Sequence, residues 1–153
     1  MKATVQNTGN TNFSSVRLYD ILPSSTDGRG STGNVSFDGL QSVDGATVYY
    51  TTKPVSDLPN YETNLQDWTA AQLVSYGFTT NKPANASDTT AIFIDFGNKV
   101  VAPNSNLDTV MDFLIPNADN QKAINQFQYS AKEEGSGTTL LSLIHISEPT
   151  RLR

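Results

Sequence analysis

Carboxylates are the only plentiful chemistry in this 153-residue chain. It has no cysteine, and its one histidine, His145, lies near the C-terminal end. Without thiols there is neither a disulfide nor a thiolate metal site. Residues 1–140 hold no histidine, so a Ser-His-Asp arrangement cannot be built from them. Asp95, Asp108 and Asp112 could supply the acid and base of a carboxylate-dependent hydrolase. Nothing in the sequence pairs them, and no catalytic activity is expected. Asp27, Asp38 and Asp44 flank the loop after Pro23 and offer hard oxygen ligands of the kind calcium takes. The Asp-x-Asp spacing of the usual calcium loop is missing, so a solvated loop without metal or cofactor is expected. Arg29 in that loop could read a ligand carboxylate, but an exposed arginine between glycines is the commoner case. Asp20 stands apart, because it shares a strand face with Val16 and Leu18. An acid in apolar surroundings keeps its proton to higher pH. The commoner arrangement, and the expectation, is that Asp20 caps the turn at Pro23 or points to solvent.

The aromatic residues pose a similar choice. Tyr49, Tyr50, Tyr61, Trp68 and Tyr76 could line a carbohydrate platform, yet rings of this size more often pack in cores. Asn12, Asn34 and Asn85 begin Asn-x-Ser triplets and read as turn asparagines.

The elements that position these residues are mostly strands. Ala3 and Val5 alternate with Thr4 and Gln6. Asn7-Thr8-Gly9-Asn10 reads as a tight turn with Gly9 at positive φ. Phe13 to Leu22 is the next strand, ended by Pro23. Ser24 to Asn34 is a polar loop. Val35–Phe37, Ala46–Thr52, Thr90–Phe96, Leu107–Ile115 (ending at Pro116) and Ile124–Ala131 follow as strands. Leu65–Tyr76 has near-helical spacing with Gly77 to end it, and predicts one short inserted helix. Alternation places Val5, Val16, Leu18, Val48, Tyr50, Ile92, Ile94, Phe113, Phe127 and Tyr129 in one core. Low charge, many polar turns and a net charge of -5 suit an antiparallel β-sandwich. No basic cluster invites nucleic acid, and no stretch approaches the length of a membrane span.

The ordered set Asn7-Thr8-Gly9, Asp20-Ile21-Leu22-Pro23, Val48-Tyr49-Tyr50-Thr51-Thr52, Trp68, Ala91 to Phe96 and Asn125 to Ala131 resembles the Ig-like β-sandwich repeats of Gram-positive wall-anchored adhesins. The resemblance covers roughly residues 2–140. It implies an extracellular, wall-attached stalk that spaces a distal domain, with neighbouring repeats as partners. The alternative is a module that binds a host glycan or protein. It further implies that Asp20 could catalyse an isopeptide bond between Lys2 on the first strand and Asn125 on the last. Strict alternation turns Lys2 outward, so no bond is expected in this chain, and the true lysine could lie in a strand preceding residue 1.

The tail Leu141 to Arg151 is similar to the in-frame translation of a transposase-type sequencing adapter. The expected division is therefore a repeat domain over 1–135 lacking its first strand, a linker over 136–140, and an adapter-derived segment over 141–153 outside the fold. On this reading the chain is a piece of a longer protein, and Met1 is an internal methionine.

Overall fold

The computed structural model describes residues 1–41, 45–114 and 121–149, with backbone alone for 142–149. Among the described residues eight strands form two antiparallel sheets of an all-β sandwich with one short helix. The smaller sheet orders β1 (Lys2–Gln6), β6 (Asn106–Leu114) and β3 (Ser36–Leu40) as β1-β6-β3. The larger holds β4 (Thr47–Thr51), β5 (Ala91–Asp95), β2 (Phe13–Ile21), β7 (Lys122–Glu133) and β8 (Thr139–Pro149) in the order β4-β5-β2-β7-β8.

Between the sheets lies one core, and all ten residues expected there contribute to it. Val16, Leu18, Ile92, Ile94, Phe127 and Tyr129 are buried, and Val5, Val48, Tyr50 and Phe113 pack around them. Period-2 alternation is enough to find such residues, because each strand turns every second side chain inward. β2 carries one interruption. Ser15 has φ 52° and forms a bulge, so two residues of β2, Ser15 and Val16, face one of β7, Ala131, between the pairs Ser14–Lys132 and Arg17–Ser130. The extra residue changes phase. Phe13 therefore packs against the same core as Val16, although the two are an odd number of residues apart. The bulge carbonyl is not orphaned: the Gln66 amide donates to Ser15 O at 2.7 Å.

A second apolar cluster lies on the other face of the larger sheet. Tyr19, Ala91 and Phe93 project from it and are covered by the β4–β5 connection through Leu65, Trp68, Leu73 and Phe78. The single inserted helix expected over Leu65–Tyr76 is two pieces, a 3₁₀ turn at Leu65–Asp67 and helix α1 at Ala70–Ser75. Thr69 is the reason for the break. Its hydroxyl accepts from the Gln72 N–H while the Gln72 side chain accepts from the Thr69 N–H, a capping box that starts a new helix there. Gly77 ends it at φ 76°, where an added Cβ would stand 2.9 Å from Thr51 Oγ1. Arg17 fixes the cover to the sheet: its guanidinium donates to Leu65 O (2.8 Å) and Trp68 O (3.0 Å) and lies over the Phe93 ring.

Three local expectations are corrected. Gly9 does not take positive φ. The turn is held by Asn7, whose side chain is fully buried. Its Nδ2 donates to Thr11 O (2.7 Å) and Val101 O (2.8 Å), and its Oδ1 accepts from Gly9 N–H (3.0 Å). Second, 136–140 is not a linker: Glu133 to Thr138 closes a turn, Glu133 N–H donating to Thr138 O. Third, the segment expected outside the fold pairs as β8 along β7 from Lys132–Thr139 to Lys122–Pro149. Ladder bonds are made by backbone groups that every residue carries, so an alternating segment of any origin can complete a sheet edge. Ile115, Pro116 and residues 150–153 lie outside the described residues.

Asn7 ties the β1–β2 turn to the chain that leads into β6. Asn7→Ala leaves Thr11 O without its donor and takes one of two donors from Val101 O, which keeps the Phe13 N–H, and is expected to cost about 2 kcal/mol. Urea unfolding of the two proteins checks this; a difference under about 0.5 kcal/mol, the range of an ordinary surface change, would contradict it.

Candidate functional site

The bulge at Ser15 puts Val16, Leu18 and Asp20 on the inner face of β2, so the carboxyl of Asp20 enters the core. This corrects the expectation that it caps a turn or meets solvent: Asp20 is 0 % exposed. Alternation along β7 turns Asn125, Phe127 and Tyr129 to the same interior. The Asn125 amide Nδ2 donates to Asp20 Oδ2 at 2.8 Å. The same Nδ2 lies 3.7 Å from the Met1 sulfur. Asp20 and Asn125 are thus brought together, and the side chain that reaches them from the first strand is Met1. Lys2 faces the opposite way, its Nζ 2.8 Å from Asp108 Oδ2 on the solvent side of the smaller sheet.

The pair has one donor too few. Asp20 Oδ1 and Asn125 Oδ1 are both buried without a hydrogen-bond partner. Buried acceptor oxygens without a donor are costly. A protonated Asp20 carboxyl carries one further O–H donor and no charge, which a buried site favours. Electrostatics agree with this protonation. Burial pushes the Asp20 carboxyl up from 3.8 to about 7, against the opposing pull of the Asn125 hydrogen bond and the Arg29 charge.

The surrounding pole is densely polar. The β2–β7 ladder stops after Asp20–Phe127. There the Tyr61 hydroxyl accepts from Ile21 N–H at 2.7 Å and donates to Gln126 O. Burial raises the Tyr61 pKa, followed by the Asp20 charge, so the phenol stays protonated. Arg29 is not an exposed arginine. Its side chain is 14 % exposed, its Nε lies 3.1 Å from Asp27 Oδ2, and its Nη2 donates to Ile21 O. Its Nη1 is buried without a partner.

The other sequence candidates do not converge. Burial alone would raise the Asp27 carboxyl, but bonds from Ser31, the Arg29 and Ser24 amides, and the Arg29 charge hold it below 3.8. That carboxylate is occupied by its own loop. Asp38 faces Lys82 (3.7 Å), and Asp44 lies outside the described residues. Among the described residues no group of three metal-ligating side chains occurs. Asp95 pairs with Arg17 in the larger sheet. Asp108 and Asp112 are exposed on β6 of the smaller one, roughly 13 Å apart along the strand. Asn34 and Asn85 are turn residues, accepting from Ser25 and Ser87 N–H, and Asn12 donates to Glu134.

Sequence reasoning paired Asp20 with Asn125, named Arg29 and Tyr61 only in other roles, and missed Met1. For Met1 a signal existed, since it continues the inward series of Ala3 and Val5. Tyr61 and Arg29 sit on connections without periodicity, and no local pattern aims them at Asp20. Comparison with protein-family models, curated proteins and solved structures finds no match.

A folded-state pKa above the unfolded one means that the folded protein holds its proton more tightly. The stability that Asp20 contributes is therefore complete below about pH 4, and is lost as the pH rises toward about 7, by no more than about 4 kcal/mol. Asp20→Asn keeps a donor and an acceptor for Asn125 and has no proton to lose. Urea unfolding between pH 4 and 8 should show a falling slope in the parent and its loss in the variant. Equal slopes would contradict a protonated Asp20.

Proposed function

We propose that the chain is a structural repeat of a bacterial surface protein, an extracellular, wall-attached spacer that bears load between neighbouring repeats. The observation that carries this reading is the meeting of Met1, Asp20 and Asn125 in the core. It ties the start of the first strand to the start of β7. At the far pole, Thr11 donates to Glu133 at 2.7 Å, where β7 ends. Met1 and Glu133 thus stand at opposite ends of the sandwich, and β8 brings the chain back along β7 to Pro149 opposite Lys122.

The aromatic side chains favour a spacer over a glycan-binding module. Trp68 is buried, and Tyr49, Tyr50, Tyr61 and Tyr76 are half-buried against neighbouring rings. The large apolar side chains exposed among the described residues are aliphatic. Among those residues no helix is long and apolar enough to cross a membrane.

On this reading the Asp20–Asn125 pair is two-thirds of an amide cross-link, lacking only its amine. The test places one there with Met1→Lys, in a chain carrying a short leader so that position 1 is internal. The lysine nitrogen attacks Asn125 Cγ and the amide nitrogen leaves as ammonia. Asp20 passes its proton to the departing group and recovers one from the amine. Mass spectrometry should show a loss of about 17 Da in this variant, none in the parent, and none when Asp20→Ala is added. A folded Met1→Lys protein of full mass would remove the support. Saturable binding of a host glycan or matrix protein by the parent would overturn the spacer reading itself.

A further inference from the structure

β1 is a sheet edge with an incomplete seam beside it. Its pairing to β6 uses one set of backbone groups: Met111 N–H donates to Met1 O (2.8 Å) and Asn7 N–H to Ser105 O (3.0 Å). Because groups alternate along a strand, Met1, Ala3, Val5 and Asn7 face β6. Lys2, Thr4 and Gln6 then present their N–H and C=O groups to the other side. Among the described residues no strand pairs there. Next to that edge, between β1 and the start of β8, lies an apolar groove of about 220 Å³ lined by Val5, Phe13, Val16, Ala131, Leu140 and Leu141. Val5 faces inward yet is only half-buried, and Leu141 is 53 % exposed.

We propose that this edge pairs with the same edge of a second copy, antiparallel across a two-fold axis at Thr4. That register satisfies all three free donors and all three free acceptors of each strand. It sets Lys2 opposite Gln6 of the second copy, Gln6 opposite Lys2, and Thr4 opposite Thr4. No like charges meet, and a Thr–Thr cross-strand pair is favourable. An edge lysine ordinarily blocks such pairing, but Lys2 is already neutralised by Asp108 on its own sheet. The pairing turns two three-stranded sheets into one of six strands and brings a second Val5 against the open seam. So small an interface belongs to the transient class.

The test exploits the two-fold axis, which sets residue 4 against itself. Thr4 is exposed, and its hydroxyl donates to Asp108, so changes there do not reach the core. Sedimentation equilibrium at rising concentration should show the parent moving from monomer toward dimer mass. Thr4→Lys and Thr4→Glu should each remain monomeric, because like charges then meet at the axis. Their equimolar mixture should dimerise, lysine against glutamate. Circular dichroism and melting checks that both variants are folded. A parent that stays monomeric at every concentration overturns the proposal. So does a variant that dimerises alone as the parent does, or a mixture of folded variants that stays monomeric.

Discussion

The fold rests on burial of the larger sheet on both faces around β2. Val16, Leu18 and Asp20 enter the sandwich, while Tyr19 enters the cluster beneath the β4–β5 connection, and each of the four is fully buried. Phe93 and Ile92 do the same on β5. An ordinary two-sheet sandwich leaves one face of each sheet in water. Here the outer face carries Tyr19, Phe93 and Ala91, and it needs Leu65, Trp68, Leu73 and Phe78 to cover it. Exposing rings of that size would cost several kcal/mol of hydrophobic stabilisation. The connection is therefore a third layer of the structure.

Polar groups fasten that layer where apolar contact alone leaves orientation free. Tyr19 Oη donates to Pro59 O at 2.8 Å, and Gln128 Nε2 to Thr63 O at 2.9 Å. Tyr61 stands where the β2–β7 ladder ends and replaces one of its bonds. The same divergence of β2 from β7 frames the pole where Asp20 meets Asn125. Cover, ladder and acid–amide pair therefore share one corner, and a change in the position of Tyr61 would be felt at all three.

How much of this was legible follows from periodicity. The inner core could be read because its residues recur at every second position and period 2 is a property of the strand itself. The second cluster could not. Thr90–Phe96 reads as apolar on both faces, but the segment that covers it has no strand or helix period over most of its length. The capping box at Thr69 and Gln72 was a readable signal for where α1 begins. Asp20 was correctly placed on the apolar face, yet the preference for turn or solvent prevailed because an unpaired buried acid is expensive; its partner lies 105 residues away in sequence. Asn7 shows the converse, since its turn was legible while the long-range bond to Val101 that fixes the turn was not. The pairing of Thr139–Pro149 with β7 leaves little sign in the residues, because its ladder is made by backbone groups that every residue carries.

If the larger sheet depends on its cover, the two must open together. Native-state amide hydrogen exchange at low denaturant measures this directly. Phe78 N–H, bonded to Leu73 O in the cover, and the Leu18, Tyr19, Phe93 and Ile94 amides of the central strands should exchange in one cooperative unit, with the same opening free energy and the same denaturant dependence. Exchange of Phe78 at nearly unprotected rates, while β2 and β5 stay protected, would show that the cover is dispensable and contradict the account.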